Sequence, residues 1–135
     1  METNNTANQS YNASILIVDD DISVLESSEA LLKEYGYSII SCSNANDAMA
    51  QLKRRTVDVV LTDIRMPEIS GIELLEMIRN VNIDVPVILM TAYAELDTAI
   101  SAMGKGAFDF IIKPYKPELL VRSIEMAVRH KKLLQ

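Results

Sequence analysis

At 135 residues, of which 49% are hydrophobic and 24% charged, the chain has the size and composition of one globular domain and is expected to bury about two thirds of the surface its unfolded form exposes. A single cysteine, Cys42, excludes an internal disulfide, so a reducing cytoplasm is the expected setting, and with a single histidine, His130, a zinc site is unsupported. The formal net charge of −6 lacks the basic footprint of direct nucleic-acid binding, and no apolar run approaches the about 20 residues that cross a bilayer.

Residues 1–13 are rich in Asn, Thr, Ser and Gln and have neither the basic start nor the apolar stretch of a secretory signal. They read as a disordered tail ahead of one domain over 14–135. The first β-like run, Ser14 to Val18, is followed by three acids, Asp19, Asp20 and Asp21. A helical segment then ends at Gly36, a residue suited to a helix C-terminus. The second run is Tyr37 to Cys42, after which Ala45, Ala48, Met49 and Leu52 repeat at helical spacing.

The third run, Val57 to Thr62, leads into Asp63, and Ser70 with Glu73 forms the capping-box pattern of the next helix. The fourth run, Val85 to Thr91, is continuous and apolar until its closing hydroxyl. Leu96, Ala99, Ile100 and Met103 again follow helical spacing. The fifth run, Ala107 to Ile112, is followed by Lys113, and Pro117 suits the first turn of a last helix. Five strands alternating with five helices, three of the strands apolar throughout, predict an α/β domain with a parallel sheet covered by helices on both faces.

In such a sheet the functional groups gather at the carboxyl ends of the strands. There stand Asp19, Asp20 and Asp21, Asp63, Thr91 and Lys113. Singly each has a structural explanation: Asp21 as a helix cap, Thr91 as a strand end, Lys113 as a solvated cation before Pro114. If the strand order is 2-1-3-4-5, the first, third, fourth and fifth ends are neighbours and the acids face one another. Two carboxylates about 4 Å apart repel by roughly 4 kcal/mol at an effective dielectric near 20, which calls for a cation, protonation or Lys113. Magnesium, a hard ion held by one or two carboxylates together with a phosphate, fits that need. Asp63 is then the nucleophile toward phosphorus, with the metal and Lys113 stabilising charge and Thr91 donating a hydrogen bond.

The segments ILIVDDD, VVLTDIRMPEISGIELL, VPVILMTAYAE and GAFDFIIKPY, in this order and spacing, resemble the CheY-like receiver domains of bacterial two-component response regulators. The resemblance runs from about Ser14 to Lys132. It implies a flavodoxin-like sheet of order 2-1-3-4-5, and that order comes with the family. It further implies Asp63 as phosphoacceptor, Asp19 and Asp20 as the acidic pair, and Mg2+ held by Asp20, Asp63 and the backbone carbonyl of Arg65. Thr91 and Lys113 fall on the family's hydroxyl and lysine, and the Lys113-Pro114 peptide on one that is cis.

Phe110 falls on the family's aromatic switch position, where many relatives carry Tyr, so no phenolic hydrogen bond is available to it. The resemblance implies a histidine kinase, or acetyl phosphate, as donor. It places the output surface at roughly Ala94 to Leu134 and suggests a phosphorylation-dependent homodimer. Arg65 and Tyr93 occupy positions that tune hydrolysis of the phosphoryl group in the family. The final helix runs to the chain end without a stop signal, as expected if an output domain follows.

Other readings fit less well. A phosphohydrolase of the haloacid-dehalogenase type needs a carboxylate two residues after its nucleophile, where this chain has Arg65. A flavodoxin needs a first loop of Ser, Thr and Gly, and Asp19 to Asp21 would repel the flavin phosphate. Lys105 lies between two glycines without a GxxxxGK[ST] loop, and so marks no nucleotide site. His130, beside Arg129, Lys131 and Lys132, suits the negative end of a helix dipole better than a phosphohistidine relay. A degenerate receiver acting only as a scaffold stays open.

Overall fold

The computed structural model describes residues 13–133. In chain order it has β1 (Ser14–Val18), α1 (Ile22–Glu34), β2 (Ser38–Cys42), α2 (Ala45–Arg54), β3 (Val59–Asp63), α3 (Gly71–Asn80), β4 (Val87–Ala92), a short 3-10 turn (Tyr93–Glu95), α4 (Leu96–Met103), β5 (Asp109–Lys113) and α5 (Pro117–Leu133). All strand pairs are parallel, in the order β2-β1-β3-β4-β5, which is the architecture expected from the sequence.

Side-chain alternation along each strand splits the core into two layers. Leu16, Val18, Val60 and Leu89 face α2, α3 and α4 and pack with Met49, Leu52, Leu74, Ile78, Ala99 and Ala102. Ile15, Ile17, Leu61, Ile88, Met90 and Ile111 face α1 and α5 and pack with Leu25, Leu32, Leu120, Ile124 and Val128. The central strands are therefore apolar up to their carboxyl ends, where Thr62, Asp63 and Thr91 stand, because both faces are covered.

Local signals behave as their chemistry requires. Asp21 caps α1 by accepting from the amides of Ser23 and Val24. The amide of Tyr37 bonds to the Leu32 carbonyl and that of Gly36 to the Lys33 carbonyl, while Gly36 takes a φ of 89°; this is a Schellman ending, in which glycine carries no Cβ penalty. The Ser70–Glu73 capping box is complete in both directions, and α5 starts at Pro117.

The ladders sit further along the chain than the apolar runs. β3, β4 and β5 each begin two residues later than the sequence reading places them, and they take in Asp63, Ala92 and Lys113 at their far ends. Val57, Val85 and Ala107 are buried and look like strand, yet they pack beneath the sheet before pairing starts. Asp63 pairs in register with Met90, and Lys113 with Ala92, so both polar residues are held by strand backbone instead of by a loop. Ala13, grouped with the tail on composition, is 6% exposed, and its carbonyl accepts from Ser38 N at 3.0 Å. The rest of that tail lies outside the described residues. Among the described residues no helix is long and apolar enough to cross a membrane.

Candidate functional site

β1 and β3 are neighbours at the centre of the sheet, so the acids that follow one and end the other meet. Asp19, Asp20 and Asp63 each offer a carboxylate oxygen, and the three oxygens lie within 4.8 Å of one another. Asp19 is 1% exposed; its Oδ1 accepts from the amide of Asp21 at 2.9 Å, while its buried Oδ2 has no hydrogen-bond partner. Burial first, and the Asp63 charge second, push the Asp19 carboxyl up to about 6. Asp21, the third acid of the run, is committed to its helix cap and stands apart from this cluster.

Lys113 arrives from β5 and places Nζ 2.7 Å from Asp63 Oδ1 and 4.0 Å from Asp19 Oδ2. Burial alone would depress its ammonium; contact with Asp63 and the charge of Asp19 raise it above the ordinary lysine value instead. The following Lys113-Pro114 peptide is cis. Thr91 is fully buried at the end of β4, its hydroxyl 3.0 Å from the Ala92 carbonyl it donates to. Asp63, Thr91 and Lys113 line one cavity of about 160 Å3, together with Ile64, Arg65, Ala92 and Glu95.

Asp19, Asp20, Asp63, Thr91 and Lys113 thus come together at this edge of the sheet. The Arg65 side chain turns away from the carboxylates to pair with Glu95. Phe110 stands in β5 opposite Leu89, two positions before the Thr91–Ile112 pair. Alternation therefore puts the Phe110 and Thr91 side chains on the same face, the one covered by α4. Phe110 is partly buried there against the layer that holds Ala99 and Ala102. His130 rests its ring 5.1 Å from that of Phe108, and Lys105 pairs with Glu76 at 3.2 Å; neither touches the cluster.

Two contributors escape a reading of the sequence. A Cβ built on Gly71 would overlap the carbonyl oxygen of Asp63, while the Gly71 amide bonds to the Ile64 carbonyl at 2.8 Å; only glycine lets the start of α3 close this tightly under Asp63. Its place beside the Ser70 cap was visible, but nothing in the sequence marks the close approach. Glu95 lies 30 residues from Arg65 along the chain and has no motif that links the two.

Residues 15–125 match the family model described as the response regulator receiver domain. The chain belongs to that family. Its relatives include the transcriptional regulatory protein ZraR of Klebsiella oxytoca, 41% identical over 119 residues that make up 88% of this chain and 27% of the relative. The DNA-binding transcriptional regulator NtrC of Salmonella typhimurium is 40% identical over 116 residues, 86% of this chain and 25% of the relative. The chain thus spans about a quarter of the length of the curated relatives it matches. Among solved structures, a response regulator receiver domain protein from Clostridium thermocellum superposes with a TM-score of 0.87 at 34% identity, covering 91% of this chain and 99% of that one. NtrX from Brucella abortus superposes at 0.86 with 31% identity, covering 90% of this chain and 28% of that one. As a receiver domain, the chain is a signalling module of two-component response regulators.

Proposed function

We propose that Asp63 accepts a phosphoryl group from a histidine kinase, or from a small donor such as acetyl phosphate, and that the modified domain signals to an output. The observation that carries this reading is the Lys113 ammonium 2.7 Å from Asp63 in a cavity that also holds the buried Thr91 hydroxyl. One Asp63 carboxylate oxygen attacks phosphorus while the phosphorus–nitrogen bond of phosphohistidine, or the phosphorus–oxygen bond of acetyl phosphate, breaks. The leaving group departs with the bonding electrons, and the product is an acyl phosphate. Lys113 then has phosphoryl oxygens to neutralise as well as a carboxylate, and Thr91 exchanges a neighbouring carbonyl for a phosphoryl oxygen. Attack of water on phosphorus returns phosphate and the free Asp63.

The donor set fits a hard divalent cation: three convergent carboxylates and a buried Asp19 oxygen without a partner. Asp19, Asp20, Asp63 and the Arg65 carbonyl would hold Mg2+. When bound, the ion neutralises charge on the phosphoryl group during transfer. Arg65 occupies the place where an aspartyl-phosphate hydrolase keeps a second carboxylate, which supports a regulator limited to its own phosphorylation and slow dephosphorylation. A cytoplasmic setting, an attached output domain and a phosphorylation-dependent homodimer are the matching expectations for partners.

Intact mass spectrometry after incubation with acetyl phosphate and Mg2+ tests the reading. Wild type gains one phosphoryl group and Asp63→Ala gains none. An unmodified wild type that is folded and binds metal would instead favour the scaffold reading.

A further inference from the structure

The ion pair between Arg65 and Glu95 bridges the loop after β3 to the 3-10 turn after β4, and both residues line the cavity that contains Asp63. The Arg65 side chain is 79% exposed and that of Glu95 only 23%, so the guanidinium is the partner free to swing and the carboxylate the one held in place. The Asp63 charge already acts on Arg65 alongside that of Glu95.

What the pair holds is a lightly anchored element. Neither the 3-10 turn nor α4 has a side-chain N-cap, and α4 buries just Ala99 and Ala102. Among the described residues, Arg65–Glu95 is the one side-chain hydrogen bond or ion pair that ties the 3-10 turn or the first turn of α4 to another element. The far end of α4 is fastened separately: Lys105 pairs with Glu76 at 3.2 Å, and Arg79 donates to the Gly106 carbonyl at 2.8 Å.

Resting on the assignment of Asp63 as phosphoacceptor, we propose that Glu95 holds Arg65 in the unmodified state and surrenders it on phosphorylation. The guanidinium moves from the Glu95 carboxylate to the phosphoryl oxygens, and the start of α4 is released while its end stays fastened. A phosphoryl group carries a charge of about −1.5 to −2 and three acceptor oxygens, so it outcompetes a single carboxylate for a planar, bidentate donor. Glu95, lining the same cavity, then repels the new anion once its own counter-charge has gone. Glu95 is a positioning residue: it acts on the phosphoryl group through Arg65.

The test uses beryllofluoride with Mg2+ as the phosphoryl mimic on wild type, Glu95→Gln and Arg65→Gln, reading binding affinity and hydrogen exchange of the amides of residues 94–101. Glu95→Gln exchanges faster at these amides without the mimic and binds it about two- to fivefold more tightly, the range set by an exposed ion pair. Arg65→Gln also exchanges faster but binds more weakly. Wild type reaches the faster exchange only when beryllofluoride is bound. A structural role alone would move both variants the same way, so two variants that weaken binding alike, or a Glu95→Gln protein identical to wild type, would overturn the proposal. A wild type that fails to bind beryllofluoride would instead remove the phosphoacceptor assignment, and this inference with it.

Discussion

Lys113 Nζ stands 2.7 Å from Asp63 Oδ1 and 4.0 Å from Asp19 Oδ2, so one ammonium from the edge strand β5 faces two carboxylates from the centre of the sheet. With Asp20 the cluster contains three acids and one nearby cation. The residual negative charge would favour a divalent ion, with which Lys113 would compete for the carboxylates and share the neutralisation of a phosphoryl group.

Replacing Lys113 by Met therefore moves two properties in opposite directions. Removing a positive charge beside the carboxylates tightens Mg2+ binding several-fold. Phosphoryl transfer loses a charge-stabilising donor and slows by about 10² to 10³, the usual cost of removing such a group. Titration with Mg2+ and the rate of adduct formation from acetyl phosphate measure the two separately.

The Asp19 carboxyl, raised by burial to about 6 from an ordinary value of 3.8, makes the metal-free fold sensitive to pH. Across the window from about 4 to about 6 the folded chain keeps a proton that the unfolded chain has lost, so this group's contribution to stability falls as pH rises. Asp19→Asn removes the effect. In metal-free buffer the variant matches wild type near pH 4 and exceeds it at pH 7 by on the order of 2 kcal/mol. Saturating Mg2+ narrows or reverses the gap if the ion is held as proposed, because the variant has lost one carboxylate of the acidic cluster. Urea denaturation at the two pH values, with and without Mg2+, is the check.

Gly71→Ala places a methyl group against the Asp63 carbonyl. Backbone must yield, at a cost of about 1 to 3 kcal/mol typical of overpacking, and Asp63 shifts with it. The expected result is a lower denaturation midpoint together with weaker beryllofluoride binding. By contrast Gly104, an exposed glycine at the C-terminal cap of α4 whose Cβ would meet its nearest neighbour at an ordinary 3.5 Å, tolerates the same change.

Thr91 and Phe110 share the α4 face on adjacent strands, so movement of the Thr91 hydroxyl toward a phosphoryl group opens space for the ring. Thr91→Ala should still form the Asp63 adduct, since Asp63 and Lys113 remain, while the change in hydrogen exchange of α4 and β5 on beryllofluoride binding shrinks. An undiminished response in Thr91→Ala would disconnect Phe110 from the site.

The fold was legible because doubly covered strands carry near-continuous apolar runs, as in ILIV of β1 and VVL of β3, and because the caps at Asp21, Gly36 and Ser70 are local chemistry. Strand limits were less so: Val57 and Val85 are apolar for packing and not for pairing, while Asp63 and Lys113 pair although they are polar. At the site, the type of side chain after each strand was readable in order along the chain. Gly71 and Glu95 were not, since a backbone approach and an exposed ion pair across 30 residues depend on how loops close in space.

Which carboxylate becomes the acyl phosphate decides the mechanism. Borohydride reduction after acetyl phosphate treatment converts a phosphorylated aspartate to homoserine, and fragment sequencing of the tryptic peptide 56–65 locates it. The expected result is homoserine at position 63, with Asp58 in the same peptide unchanged. Homoserine at position 19 or 20, or in none of these places in a protein that carries the phosphoryl mass, would contradict it.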